Sequence, residues 1–329
     1  MPDKKKGQDR INLLADVAEM YYIDGQNQEQ IAKKVGVTRS MISRMLTESK
    51  ELGLVSIHIN RPLSINHSLS EFIRTKYNLQ QALVINHENN KLLHTLGAAA
   101  AKLLIDLLKP NTILGTSWGT AISATADAMA PQQPFPSIRV VQLLGALGAR
   151  IQEYDGHGII RKIEEKLGGE AIYLNAPYLV ENHKVAESLL EVHSIRETIE
   201  LGRKAEIALL GVGSTALENS PYYLAGYISR DEMLAIQEDQ AVGDVCGHFF
   251  DIEGKDRAKE FQSRLIGIKL QDLMQIPIRV GVAGGPEKVR PILGALRGGY
   301  ITILVSDANT IQAVIELDQT SNRVFIRIY

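Results

Sequence analysis

A single cysteine, Cys246, is all that the 329-residue chain contains, so no intrachain disulfide can form and a reducing cytoplasm is the expected setting. Aromatic residues make up only 5%, which leaves the core to Leu, Ile, Val and Ala. No stretch reaches the roughly 18 uninterrupted apolar residues that cross a bilayer, which excludes a helical membrane span. The opening MPDKKKGQDR is charged with no apolar run behind it, so no secretory signal is expected and this segment is expected to fray. With eight scattered histidines and one cysteine, no metal-ligand spacing occurs. No cofactor signature stands out, and no repeat or low-complexity tract is visible. Neither sign of charge dominates: 36 basic residues face 38 acidic ones, for a net charge of −2. A chain basic throughout its length is thereby excluded, but a local basic patch is not.

Such a patch is there. Between Lys33 and Lys50 the basic residues are Lys33, Lys34, Arg39, Arg44 and Lys50, and Glu48 is the only acid. The same region carries three helical patterns. Ile11, Leu14, Ala15, Ala18 and Tyr22 recur at helical spacing, and Asp24-Gly25 stops that helix. Asn27 can cap a second helix, NQEQIAKKV, with Ile31, Ala32 and Val35 inward. Gly36-Val37-Thr38 makes a tight turn, and Thr38 caps a third helix with Ile42, Met45, Leu46 and Leu52 inward. Helix, glycine-containing turn and basic helix form the helix-turn-helix plan. Arg39, Ser40, Ser43 and Arg44 then occupy the end of the third helix that enters a major groove, where arginine can bridge a guanine edge. Gln28, Thr38 and Lys50 suit backbone contacts, which position without specifying. The bland alternative is a three-helix bundle with a solvated charged face. After Gly53, the alternation in LVSIHIN (54–60) predicts a short strand, either a small wing or a lead into the linker Arg61-Pro62-Leu63-Ser64. The domains are therefore drawn at 1–60, DNA-binding, and 61–329, effector-binding and oligomerising.

From about Leu69 short apolar runs alternate with helical stretches. The expected strands are residues 81–86, 111–116, 138–145, 170–177, 206–213, 277–283 and 300–306. Apolar strands separated by helices predict a parallel sheet covered on both faces, a doubly wound, Rossmann-like α/β domain. In such folds ligands bind beyond the carboxyl ends of strands, at the point where strand order reverses.

Three strand ends carry candidate chemistry. GTSWGTA (115–121) brings hydroxyls from Thr116, Ser117 and Thr120 to a helix start, where Gly119 and its neighbours can offer backbone N–H groups to a phosphate. The same string satisfies the G-x-S-x-G elbow of serine hydrolases, although no glycine-rich oxyanion loop precedes it. GVGSTA (211–216) matches a loose dinucleotide signature but lacks the following acidic partner, and reads as a tight turn. AVGDVCGHFFD (241–251) sets Asp244 on a turn as an acceptor for sugar hydroxyls, with Cys246 a small apolar core residue. GVAGGPEKV (281–289) places Lys288 in the first turn of a helix, against the dipole unless an anion sits nearby. Gly145 closes the third expected strand and completes the candidate effector set. His157, in YDGHG, reads as a loop histidine. None of these residues forms a catalytic constellation.

In this order, IAKKVGVTRSMISRML, GTSWGTA, LLGVGS, AVGDVCGHFFD and GVAGGPEKVRPILGALRGGYITILVSDANTIQAVI resemble the SorC family of sugar-responsive bacterial regulators. The resemblance spans nearly the whole chain. It implies an effector domain similar to glucosamine-6-phosphate deaminases and ribose-5-phosphate isomerases, used for sensing. It also implies a homotetramer whose operator binding responds to a sugar or sugar phosphate. The family's phosphate loop falls on Thr116, Ser117, Gly119 and Thr120, its acidic hydroxyl contact on Asp244 and its basic contact on Lys288. Some members carry a Schiff-base lysine at the end of the third strand. Here Gln142, Leu143 and Leu144 stand there, so covalent capture is not expected. Trp118 resembles the polyol-responsive branch and is either a stacking platform for a sugar or core. The expected function is a DNA-binding regulator of a carbohydrate operon. The alternative is a sugar-phosphate isomerase or deaminase with an accessory head.

Overall fold

The computed structural model describes residues 2–55, 62–87, 91–146, 155–224 and 226–326. It divides into two compact units, Met1–Pro62 and Leu63–Tyr329. The first holds three helices, α1 (Pro2–Tyr22), α2 (Gln28–Val35) and α3 (Arg39–Glu51). Their ends follow from the capping residues. Asn27 accepts the N–H groups of Glu29 and Gln30 at 3.1 and 3.0 Å, and Gln30 Oε1 accepts the Asn27 N–H at 2.9 Å. Gly36 ends α2 at φ 76°, a left-handed conformation that costs glycine little. Thr38 then caps α3 by accepting from the Met41 N–H at 3.3 Å.

Val17, Ala18, Ile31, Ala32, Ile42 and Leu46 form this unit's core, with Val35, Val37 and Met45 packed against it. The inward stripe of α1 differs from expectation: Leu14, Val17 and Ala18 are buried, while Ile11 and Ala15 are exposed. Contact with α3 sets that face, since the buried Ser49 hydroxyl donates to the Leu14 carbonyl at 3.1 Å. Leu52 also proves exposed, because it is the C-cap residue of α3 and lies past the last inward turn. The opening segment, expected to fray, forms the first turns of α1. Pro2 suits the first helical position, and lysines are good helix formers. Of the expected strand 54–60, residues 56–60 lie outside the described residues, as does Arg61 of the linker.

The second unit opens with α4 (His67–Lys76), β1 (Gln81–Ile85), α5 (Leu92–Leu107), β2 (Ile113–Thr116), α6 (Thr120–Ala128) and β3 (Arg139–Gln142). It continues through α7 (Gly156–Leu167), β4 (Glu170–Ile172), α8 (His183–Leu190), α9 (His193–Arg203) and β5 (Ile207–Ser214). Then come α10 (Pro221–Leu224), α11 (Arg230–Glu238), β6 (Gly243–Val245) and β7 (His248–Phe250). The chain closes with α12 (Lys259–Gln262), α13 (Leu270–Leu273), β8 (Ile278–Val282), α14 (Val289–Arg297), β9 (Ile303–Asp307) and α15 (Ala308–Ile326).

The main sheet runs β1-β9-β8-β5-β2-β3-β4 with every pair parallel, as the apolar runs require. Leu114, Val140, Leu209, Val280 and Leu304 are fully buried in it, each worth about 1.5–3 kcal/mol of transfer free energy. Against the other face of this logic, α5 and α6 cross tightly: a Cβ on Gly97 would lie 2.6 Å from the Ala124 backbone. From β2 the chain moves outward through β3 to β4, then returns to place β5 on the other side of β2. Strand order therefore reverses between β2 and β5.

Two expectations fail here, and they share a cause. Residues 211–214 are the end of β5, in line with the expected strand 206–213 and against the tight turn also read at GVGSTA, because β6 pairs antiparallel with Val212–Ser214. Asp244 likewise sits within a strand rather than on a turn. The turn comes two residues later, at Cys246 and Gly247, where φ values of 52° and 78° link β6 to β7. A glycine-rich run followed by short, wholly buried strands shows no two-residue alternation, so this hairpin left no periodic trace.

Candidate functional site

In the helix-turn-helix unit, Thr38, Arg39, Ser40, Ser43, Arg44 and Lys50 are exposed, and Gln28 is half-buried. The first turn of α3 holds no acidic residue to neutralise Arg39. Glu48, the one acid among the basic residues, is held by Arg10 at 2.7 Å, which cancels much of its field. Lys50 lies 5.5 Å from the Tyr22 ring centroid, so part of its charge is spent within the unit. What remains outward is a positive helix end carrying arginine and serine, the chemistry a DNA groove requires.

The second group of candidates gathers at the reversal between β2 and β5. Thr116 ends β2 and Ser117 follows it, both buried; Gly119 caps α6 at φ 132°; Thr120 begins that helix and is exposed. The Thr116 hydroxyl donates to the Ser117 carbonyl at 2.9 Å, which fixes the loop and occupies that proton. Ser117 is buried and is not among the described residues with positive φ. A hydrolase elbow needs a strained, projecting serine, so this geometry gives the nucleophile reading no support. Gly145 is buried with both backbone groups engaged. Its N–H donates to the Ile266 carbonyl at 2.8 Å, and its own carbonyl accepts from Trp118 Nε1 at 3.0 Å. A Cβ there would meet the Pro177 carbonyl at 2.3 Å, so this glycine serves a close approach of chains. Gln142, at the end of β3, donates to the Leu144 carbonyl at 2.7 Å and is likewise internal.

Asp244 enters from β6. Its carboxylate accepts from the Tyr222 hydroxyl at 2.5 Å and the Gly247 N–H at 3.1 Å, both through Oδ2. The second bond braces Cys246, whose left-handed backbone costs on the order of 1 kcal/mol. Oδ1 has no hydrogen-bond partner among the described residues. That oxygen lies 1.8 Å from where a Cβ on Gly213 would be, so the glycine of the apparent dinucleotide signature makes room for a carboxylate. Burial pushes the Asp244 carboxyl up, against the opposing pull of Tyr222, Gly247, Lys288 and His248. Lys288, half-buried ahead of α14, responds the other way. Burial lowers its ammonium, while the charges of Asp244 and Glu287 partly restore it. No hydrogen bond or ion pair holds this ammonium among the described residues. The loops after β2 and β8 and the β5-paired strand β6 thus surround the reversal point with hydroxyls, a carboxylate and a cation.

Four residues of this region escaped the sequence reading. Trp118 packs edge-on against Tyr178 and Tyr222, with centroids 5.3 and 5.1 Å away, and Tyr178 stacks on Tyr222 at 4.9 Å. Of the two alternatives for Trp118 it is buried, and its indole N–H is anchored inside the protein. Neither tyrosine was a candidate. Asp307 and Thr310 hold the double-glycine loop ahead of Lys288: the Gly285 N–H donates to Thr310 Oγ1 at 2.7 Å and to Asp307 Oδ2 at 3.3 Å. Their sequence, SDANT before a helix, is a capping pattern that could have been recognised. His157 stands in the first turn of α7 rather than in a loop, edge-on to Tyr173 at 5.3 Å.

A cleft of about 670 Å³ opens nearby between the end of β5, residues 251–253 and residues 286–291. Glu218, Asp251, Glu253 and Glu287 line it with a single arginine, Arg290, so its field opposes an anionic ligand. It excludes Thr116, Asp244 and Lys288 and is not the candidate site. No group of His, Cys, Asp or Glu among the described residues could hold a metal ion, and none of the described helices is long and apolar enough to cross a membrane.

The family described as "Putative sugar-binding domain" matches residues 61–316. Across 317 residues the chain is 32% identical to the deoxyribonucleoside regulator of Bacillus subtilis (strain 168), covering 95% of this chain and 99% of that protein. It is 30% identical over 305 residues to the transcriptional regulator LsrR of Escherichia coli (strain K12), covering 92% and 94%. Among solved structures, the full-length sorbitol operon regulator SorC from Klebsiella pneumoniae superposes with a TM-score of 0.71 at 28% identity, covering 92% of this chain and 98% of that one.

Proposed function

The chain belongs to the SorC family of sugar-binding transcriptional regulators, and from that premise we propose that α3 reads operator DNA while the body senses a sugar phosphate that changes operator affinity. One observation carries the sensing half. At the β2/β5 reversal, Asp244 Oδ1 has no hydrogen-bond partner among the described residues, and the Lys288 ammonium meets only the charges of Asp244 and Glu287 there. A carboxylate oxygen left alone in this way is costly unless a ligand hydroxyl completes it. Phosphate is the natural complement of an unpaired lysine beside a helix start, with Thr120 and the α6 N–H groups able to share it.

An effector that favours one of two body conformations changes DNA affinity only by its difference in affinity for the two. The DNA contacts would fall on Arg39, Ser40, Ser43 and Arg44 for base edges, with Gln28, Thr38 and Lys50 along the backbone. Because one recognition helix reads too few base pairs for specificity, the working unit is a homo-oligomer, at least a dimer. The chain would act on a carbohydrate operon as a binding protein and not as an enzyme.

Fluorescence anisotropy with DNA from upstream of the adjacent operon tests both halves. Binding should weaken steeply with salt, as released counterions require. Addition of one member of a sugar-phosphate panel should shift the operator affinity, and Lys288→Ala should remove that shift. No DNA binding at low salt would sink the regulator reading. Turnover of a panel sugar would favour the isomerase or deaminase alternative, for which Asp244 is the available base.

A further inference from the structure

The hydroxyl-reading end of the site is closed by the protein's own side chains. Trp118, Tyr178 and Tyr222 are buried and touch one another, and the Tyr222 hydroxyl donates the bond that Asp244 Oδ2 accepts. Among the described residues Asp244 Oδ1 has no hydrogen-bond partner, and the Tyr178 hydroxyl has none besides the Tyr222 side chain. Buried polar groups are normally paired, so an open carboxylate oxygen beside this cluster points to a donor from a ligand. Tyr222 is the movable member of the cluster. It rides on α10, a single turn of helix with Leu224 at its other end 64% exposed. So short a helix has little stability of its own. Trp118, by contrast, is tied to the Gly145 carbonyl, and Asp244 is fixed in a strand.

Given the sugar-sensing reading above, on which this rests, we propose that Tyr222 is a specificity-determining residue. Its phenol holds the hydroxyl position at Asp244, and a ligand enters only by taking that position over. The incoming molecule must present an O–H to Asp244 and a C–H face to Trp118 and Tyr178. A polyhydroxylated ligand, a sugar ring or a polyol with or without phosphate, meets both demands. Inorganic phosphate has no such face and is left to Lys288 alone. Tyr178, whose hydroxyl can donate or accept, would read the adjacent ligand oxygen.

The test is calorimetric titration of the full chain and of Tyr222→Phe with ribose 5-phosphate, fructose 6-phosphate, sorbitol 6-phosphate and inorganic phosphate. The variant keeps the ring but leaves Asp244 without its internal donor. It should bind the responding sugar phosphate roughly tenfold tighter or more, the fold-change of a charge-assisted hydrogen bond that no longer has to be broken. Inorganic phosphate should bind both proteins alike. Equal or weaker sugar binding by the variant overturns the proposal, while sugar binding by the wild type keeps the sensing reading intact. If neither protein binds any of the three sugars, the sensing reading falls and takes the proposal with it. A second measurement needs no variant. Trp118 is the only tryptophan in the chain, so its emission should shift as the Tyr222 edge leaves the indole. Saturation by a sugar phosphate with unchanged emission would mean that Tyr222 stays in place, and would refute the idea.

Discussion

The two units place their chemistry in opposite ways. In Met1–Pro62 the candidate DNA contacts are exposed side chains on one helix, standing on a core of six small and medium residues. In Leu63–Tyr329 the polar residues that matter are mostly buried, and they come from elements far apart in sequence. The first arrangement separates function from stability, because the contacts can change without disturbing the core. The second merges them: Asp244, the proposed sugar contact, also packs against Gly213 and braces a hairpin. A reader of DNA can be modular in this way, whereas a sensor must couple occupancy to packing.

The largest effect that would sharpen this contrast is on stability. Asp318 on α15 is buried and accepts from Arg297 at 2.5 Å, with Lys76 as a second partner. Burial alone would raise its carboxyl, but hydrogen bonds from Lys76 and Arg297 hold it below the ordinary range. Asp318→Ala takes the buried acceptor from Lys76 and leaves Arg297 with Glu253 alone, and should cost about 3 kcal/mol in denaturant unfolding. In the first unit, Glu48→Ala breaks a pair with a solvent-exposed arginine and should leave denaturant unfolding nearly unchanged. Similar losses from the two would erase the distinction.

A smaller effect concerns affinity. Arg39→Ala or Arg44→Ala should weaken operator binding by about 1–3 kcal/mol, roughly five- to 150-fold, by anisotropy. Neither should move the melting temperature, since both side chains are exposed. A melting loss comparable to that of Asp318→Ala would break the separation of roles.

The smallest is a change of slope. Burial raises the Asp244 carboxyl in the folded protein, so the native state binds that proton more tightly than the unfolded chain does. Its stabilising contribution is full below the unfolded pKa, about 4, and is lost as pH rises through the folded value. Asp244→Asn should therefore flatten the fall in melting temperature as pH rises from that point. An unchanged slope would mean that Asp244 is less buried than its neighbours Tyr222, Lys288 and His248 suggest.

The same contrast explains what could be read in advance. The caps Asn27, Gly36 and Thr38 act on neighbours within a few residues, so local spacing shows the head almost completely. Parallel strands were legible from their apolar runs, and the loops after β2 and β8 from their glycines and hydroxyls. Tyr178 and Tyr222 were not, because their meaning lies in a stack 44 positions apart in numbering that no short pattern encodes. Tyr222 sits in SPYYLAGYIS, whose composition reads as loop. The β6–β7 hairpin was missed for a related reason: its register is set by pairing with β5 and its turn starts with a cysteine, not the Asn-Gly or Asp-Gly that announces such turns.

Gly213 and Asp244 behave as one heritable unit. Any side chain at 213 collides with the carboxylate at 244, so neither position can drift freely while the other is kept. Substitutions tried singly at 213 would look like folding defects and hide a ligand-binding role. Only paired replacements, with a shorter residue at 244, would show how much of that defect is crowding. A lineage that changes its sugar by altering 244 would thus first gain freedom at 213, and the order of those two events is constrained by geometry alone.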